Sequence, residues 1–173
     1  MKLTYTLLLV LFLALGFLPA CDDDDDVEYT ATYPVSGDWT VTYSVETAPG
    51  QFEPLVEDTE LLIYNTAANV PTEVWVDDQE NFWTFIIRTD VNMSNLTFSA
   101  QNAVSTAQVE NADGELEPYD IEVNITDGQV FEDAVTVNGV QRDSIYFKVS
   151  FEDDDPAFGT VYHVYGHRST GFE

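Results

Sequence analysis

Gly37-Asp38-Trp39-Thr40-Val41-Thr42-Tyr43-Ser44-Val45 alternates apolar and polar residues without a break from Asp38 onward. Successive side chains of a β-strand point to opposite faces, so Trp39, Val41, Tyr43 and Val45 share one face. Asp38, Thr40, Thr42 and Ser44 share the other. One apolar face and one wet face is the pattern of an antiparallel sheet covered on a single side. The same period of two recurs along Leu96–Phe98–Ala100, Ile121–Val123–Ile125 and Ile145–Phe147–Val149–Phe151, each set spaced by mostly polar neighbours. Further strands are expected at residues 60–66, 73–77, 82–89, 103–110, 131–138 and 160–168, and no amphipathic helix is expected after Cys21.

The punctuation between these runs agrees with short antiparallel connections. Asp77-Asp78-Gln79-Glu80-Asn81 reads as a hairpin loop. Asp113-Gly114, Asp127-Gly128 and Asn138-Gly139 read as turn pairs, because these residues tolerate positive φ. Asp153-Asp154-Asp155-Pro156 breaks the chain before the last strand. About eight to ten short strands imply an all-β domain, a sandwich or an up-and-down barrel.

Gly37-Asp38-Trp39 at the head of the first strand is similar to the G-x-W of lipocalins and other calycins. That resemblance implies an antiparallel β-barrel in which Trp39 plugs the closed end and a last-strand Arg, here Arg168, packs across the indole. Gly37, Trp39 and Arg168 are therefore the expected barrel-closing residues. A guanidinium over an indole stabilises by about 0.5–2 kcal/mol, and joining the two chain ends removes the sheet's edges. The stretches 37–42, 64–66 with 75–77, and 165–172 together resemble the "lipid-binding putative hydrolase" family, calycin-like lipoproteins of Bacteroides-type bacteria. The resemblance implies a barrel and an apolar ligand rather than a particular reaction.

The N-terminus reads as an address. Lys2 precedes an apolar run from Leu7 to Leu18, too short for a helix across about 30 Å of hydrocarbon but suited to a signal-peptide core. Leu18-Pro19-Ala20-Cys21 resembles a bacterial lipobox, which implies lipidation of Cys21 and a membrane held by acyl chains. Asp22 to Asp26 form a solvated tether, and their place after the Cys resembles a surface-export signal. The expected organisation is a signal peptide at 1–20, an acidic tether at 21–28 and a barrel domain at 29–173. The expected location is the outer membrane, on the cell surface.

Charge narrows the partners. The 173 residues carry 32 Asp+Glu against 5 Lys+Arg, a net −27. Such a chain repels polyanions, which excludes nucleic acid bound through its phosphates. The field favours neutral or cationic ligands over free anions. The single cysteine excludes an internal disulfide framework.

The working expectation is a binding protein for a small apolar or lipid-like molecule, with Trp39, Tyr43, Trp75, Trp83, Phe85, Phe98, Phe147 and Phe151 lining the site. A barrel of about eight strands either holds one small ligand or fills itself with side chains, and aromatic content suits both. The run Phe82-Trp83-Thr84-Phe85-Ile86-Ile87 is largely apolar on both faces, so it must meet its own loops, lipid or an envelope protein partner. The alternative class is therefore an interaction module with a filled core. A hydrolase is the third: His163 and His167 lie on one strand face, about 13 Å apart by strand rise, opposite in parity to Arg168. No G-x-S-x-G elbow accompanies them, so no catalytic residue is assigned. Acid-rich loops at 77–80, 90–95, 113–115 and 152–155 have oxygen ligands suited to Ca²⁺, but none has a complete calcium-loop pattern and no spacing suggests zinc, so no metal or other cofactor is expected. Asp143-Ser144-Ile145 resembles a bacterial O-glycosylation acceptor.

Overall fold

The computed structural model describes residues 29–155 and 160–170. The expected signal peptide and lipobox, Cys21 and the expected acidic tether lie outside the described residues. The described chain is all-β. Ten strands follow in order: β1 (Gly37–Ala48), β2 (Gln51–Asn65), β3 (Glu73–Asp77), β4 (Ile86–Asn92), β5 (Thr97–Val104), β6 (Gln108–Glu110), β7 (Leu116–Pro118), β8 (Glu122–Val137), β9 (Val140–Phe151) and β10 (Tyr162–Arg168). Eight of them close an antiparallel barrel in the order β1-β10-β9-β8-β5-β4-β3-β2, and β6 with β7 forms a separate two-stranded hairpin. This is the calycin-like closure expected from the sequence.

Closure is made where the first strand meets the last. Trp39 stands opposite Arg168, Val41 opposite Gly166, Tyr43 opposite Val164 and Val45 opposite Tyr162. The Arg168 guanidinium carbon lies 4.4 Å from the Trp39 ring centre. Its Nε donates to Asp143 Oδ2 at 2.9 Å, one Nη donates to Pro34 O at 2.7 Å, and the other donates to Ser36 O. These two carbonyls belong to a turn at residues 31–35, whose Val35 is fully buried under the closed end, and to Ser36 just after it. Gly37 has φ of +140°, and a Cβ there would run into the Arg168 guanidinium. The glycine before Trp39 thus makes room for the clamp that covers it.

Three local expectations are overturned. Residues 82–89 do not form one strand: β4 begins only at Ile86, and Phe82 and Trp83 leave the ladder because the Asp78 carboxylate captures their amides, as described below. Residues 103–110 split between β5 and β6, since Ser105 Oγ accepts from the Ile86 and Ala107 amides and bends the chain between them. Asp127-Gly128 is a bulge inside β8 rather than a turn; the β8–β9 register shifts between Thr126 and Gln129, and Asp127 has φ of 56°. Asn138-Gly139 and Asp113-Gly114 do turn the chain, between β8 and β9 and between β6 and β7.

Gly128 lies against Phe98, opposite it in β5, and a Cβ at this glycine would come within 2.7 Å of the Phe98 ring and into its carbonyl. Because backbone cannot give way as a side-chain tip can, Gly128→Ala is expected to destabilise by about 2 kcal/mol. A urea unfolding midpoint equal to wild type would contradict this.

Candidate functional site

The barrel interior is filled. Trp39, Tyr43, Phe85 and Phe147 are fully buried, with Leu61, Ile63, Val74, Val76, Ile87, Ile125 and Ile145 between them. Phe98 packs edge-on to Phe147 at 5.6 Å. Of the eight aromatics expected to line a ligand site, Trp39, Tyr43, Phe85, Phe98 and Phe147 thus form this core. Phe151 and Trp83 sit at the opposite end of the barrel from Trp39. Trp75 stands apart: it alternates with buried Val74 and Val76 and faces outward, beside Tyr64 and Arg88 on the neighbouring strands.

The open end, the mouth, is closed by the loop between β3 and β4. Asp78 is fully buried there, and its carboxylate gathers three donors. Oδ1 accepts from the Tyr43 hydroxyl at 2.5 Å; Oδ2 accepts from the amides of Phe82 and Trp83 at 2.8 and 2.9 Å. The loop therefore folds inward instead of extending β4. Phe82 stacks on Tyr43 at 4.4 Å and meets Tyr162 edge-on at 4.9 Å; Trp83 stacks flat on Phe151 at 4.6 Å and 3°. Phe85 completes the cluster 5.5 Å from Phe151. The apolar strip that needed cover is thus covered by the protein's own rings.

The polar tips of these rings are held by acids on a second loop. Trp83 Nε1 donates to Asp153 Oδ1 at 3.0 Å, the Tyr119 hydroxyl donates to Asp153 Oδ2, and the Tyr162 hydroxyl donates to Asp154 Oδ2 at 3.0 Å. Burial pushes the Asp78 carboxyl above its ordinary value, against the pull of its hydrogen bonds from Tyr43, Phe82 and Trp83. Burial, then the Asp78 charge, pushes the Tyr43 phenol well up. Burial and the bond to Asp153 raise Tyr119 to about 12. Acids that read as calcium loops, Asp78, Asp153 and Asp154, are engaged in holding the aromatic plug. Among the described residues no group of three or more His, Cys, Asp or Glu is gathered as a metal ion would need.

Sequence reasoning missed the roles of Asp78, Tyr119, Asp153 and Tyr162. The usable signal was Asp78 placed four and five residues before Phe82 and Trp83, a spacing at which a carboxylate can accept from both amides.

The histidines lie on the outer face of β10. His163 is 7% exposed, its Nδ1 is 2.8 Å from the Tyr146 hydroxyl, its Nε2 is 4.0 Å from Glu46, and Phe52 packs on its ring at 4.8 Å. Burial, then Lys148, lowers the His163 pKa. Burial raises the Tyr146 phenol, so this hydroxyl is harder to ionise than a free one and is a weak nucleophile. Ser144, of the acceptor-like Asp143-Ser144-Ile145, is a mid-strand residue of β9 beside an Asp143 already bound by Arg168.

Comparison with known proteins matches one family model, described as "Lipid-binding putative hydrolase", over residues 24–173. No curated protein matches the chain.

Proposed function

Because the chain belongs to the lipid-binding putative hydrolase family, we propose that it binds a lipid-like molecule, apolar or amphipathic, at the mouth of its barrel and carries out no chemistry on it. The same reading includes the anchor: a signal at 1–20, an acylated Cys21, and an acidic tether that presents the barrel domain 29–173 at the surface of an outer membrane. Its support is the lipobox-like Leu18–Cys21 and the five aspartates after it.

The observation that carries the ligand reading is the construction of the plug. Phe82 and Trp83 lie outside the barrel ladder and are held by the Asp78 carboxylate, by the Asp153 bond to the Trp83 indole and by ring contacts. They can leave without breaking a single inter-strand hydrogen bond. An apolar chain can then take their place against Tyr43, Phe151 and Tyr162, so that the mouth trades one set of apolar contacts for another. A ligand competing with a plug binds with its intrinsic affinity scaled down to the fraction of molecules whose mouth is open.

Phe82→Ala removes the ring stacked on Tyr43 and weakens the plug. Titration with lysophosphatidylcholine, followed by tryptophan fluorescence, is expected to saturate in wild type and to saturate at a several-fold lower concentration in Phe82→Ala. The change should vanish in Trp83→Phe. Absence of any saturable change in wild type, or weaker binding by Phe82→Ala, defeats the reading.

A further inference from the structure

The outer wall carries a second apolar site, unrelated to the mouth. On β9 and β10 the residues between the buried ones face outward, and the register sets them side by side: Tyr165 opposite Tyr146, and His167 opposite Ser144. On β8, Gln129 stands opposite Tyr146 and Phe131 opposite Ser144. Beyond Phe131 the β8–β9 register shifts again, and the tip of this hairpin brings Val135 and Val137 over the same face. The result is a trough of about 420 Å³ lined chiefly by Phe131, Val135, Val137, Tyr146, Tyr165 and His167. Phe131 and Tyr165 are each 42% exposed, large apolar surfaces on a chain of net charge −27.

Charge decides what fits. Of the four described Lys and Arg side chains, three lie on β9 and β10, as do both histidines. Lys148 is paired with Asp127 at 2.8 Å, Arg168 with Asp143 at 2.9 Å, and Arg88, on β4, with Glu73 at 3.4 Å. Arg142 is the exception among the described residues: it makes no ion pair, and its Nε is buried without a hydrogen-bond partner. It stands directly opposite Val135, which puts the two side chains on one face of the hairpin. A cleft of about 140 Å³ opens at Arg142, shared with Asp133, Gln141, Asp143, Arg168 and Thr170, in which the Asp143 carboxylate is already taken by Arg168. With the other three described Lys and Arg heads each paired to a carboxylate, the Arg142 guanidinium, opposite Val135, is the cation left at this hairpin to take an oxyanion.

We propose that this trough binds a free single-chain amphiphile with an oxyanion head, its chain lying along Phe131, Val135, Val137 and Tyr165 and its head on Arg142. The overall negative charge opposes anions at long range. Screening limits that field to about 8 Å at physiological salt, so the local guanidinium governs the bound state. The mouth proposal does not depend on this site, nor this site on the mouth.

The test uses the Cys21→Ser chain, which carries no acyl group of its own, with dodecanoate and dodecyl maltoside as probes below their micelle concentrations, read by amide NMR shifts. Dodecanoate is expected to shift the amides of Val135, Val137, Arg142 and Tyr165 saturably. Val135→Glu should weaken it at least tenfold. Arg142→Gln should weaken dodecanoate about tenfold while leaving dodecyl maltoside unchanged. Shifts confined to the Phe82–Trp83 region overturn the trough and leave the mouth reading standing. Equal losses of both probes in Arg142→Gln, or binding only to phosphatidylglycerol vesicles, overturn it as well.

Discussion

Asp78→Ala is expected to unseat the mouth plug and to destabilise the fold by about 3 kcal/mol, since three donors lose their acceptor and the buried Tyr43 hydroxyl is left unsatisfied. Part of that loss is offset by removing a carboxylate that burial disfavours. Urea unfolding measures the total; hydrogen exchange at the Phe82 and Trp83 amides measures the local part. Those two amides should lose protection while the barrel amides keep theirs. A loss below about 1 kcal/mol would mean that the rings alone seat the plug.

Asp78→Asn separates hydrogen bonding from charge. Its Oδ1 can still accept from the two amides while its Nδ2 donates to the Tyr43 oxygen, so the plug should stay closed. The wild-type carboxyl has a raised folded-state pKa, so the folded protein binds its proton more tightly than the unfolded chain does. The stability that this shift contributes is complete below the unfolded value and is lost as pH rises through the folded value. Wild type should therefore gain on Asp78→Asn as pH falls from 7 toward 4.

The second large effect is expected at Arg168. Arg168→Ala removes the cation–π contact with Trp39, the donors to Pro34 O and Ser36 O, and the ion pair with Asp143, a combined loss of about 3–4 kcal/mol. Arg168→Lys should recover less than half of it. A single ammonium cannot lie flat on the indole and also reach two carbonyls and a carboxylate. The near-UV circular dichroism of Trp39 should weaken in both variants. Full recovery by Lys would show that charge alone, without the planar fork, closes the barrel.

Much of this architecture was legible in the residues. Alternation along Trp39–Val45 and Ile145–Phe151 assigned strands and chose which side chains face the core, because the two-residue period is a property of the backbone itself. The Gly37-Asp38-Trp39 start and Arg168 near the end pointed to closure, since each belongs to a short local pattern.

Other features depended on residues far apart in the chain. The run 82–87 has a strand's composition, yet Phe82 and Trp83 turn inward because Asp78 is buried beneath Tyr43, 35 residues earlier. Asp127-Gly128 has a turn's composition, yet it became a bulge because Phe98 of another strand occupies the space beside Gly128. Whether the aromatics enclose a hollow or fill it is a matter of summed side-chain volume inside a closed wall, which no local pattern encodes. The outer trough exists only because the β8–β9 hairpin brings Val135 and Val137 over the wall. Strand identity and facing follow from short-range backbone geometry, whereas plug, filling and trough follow from which distant side chains compete for the same space and the same hydrogen-bond partners.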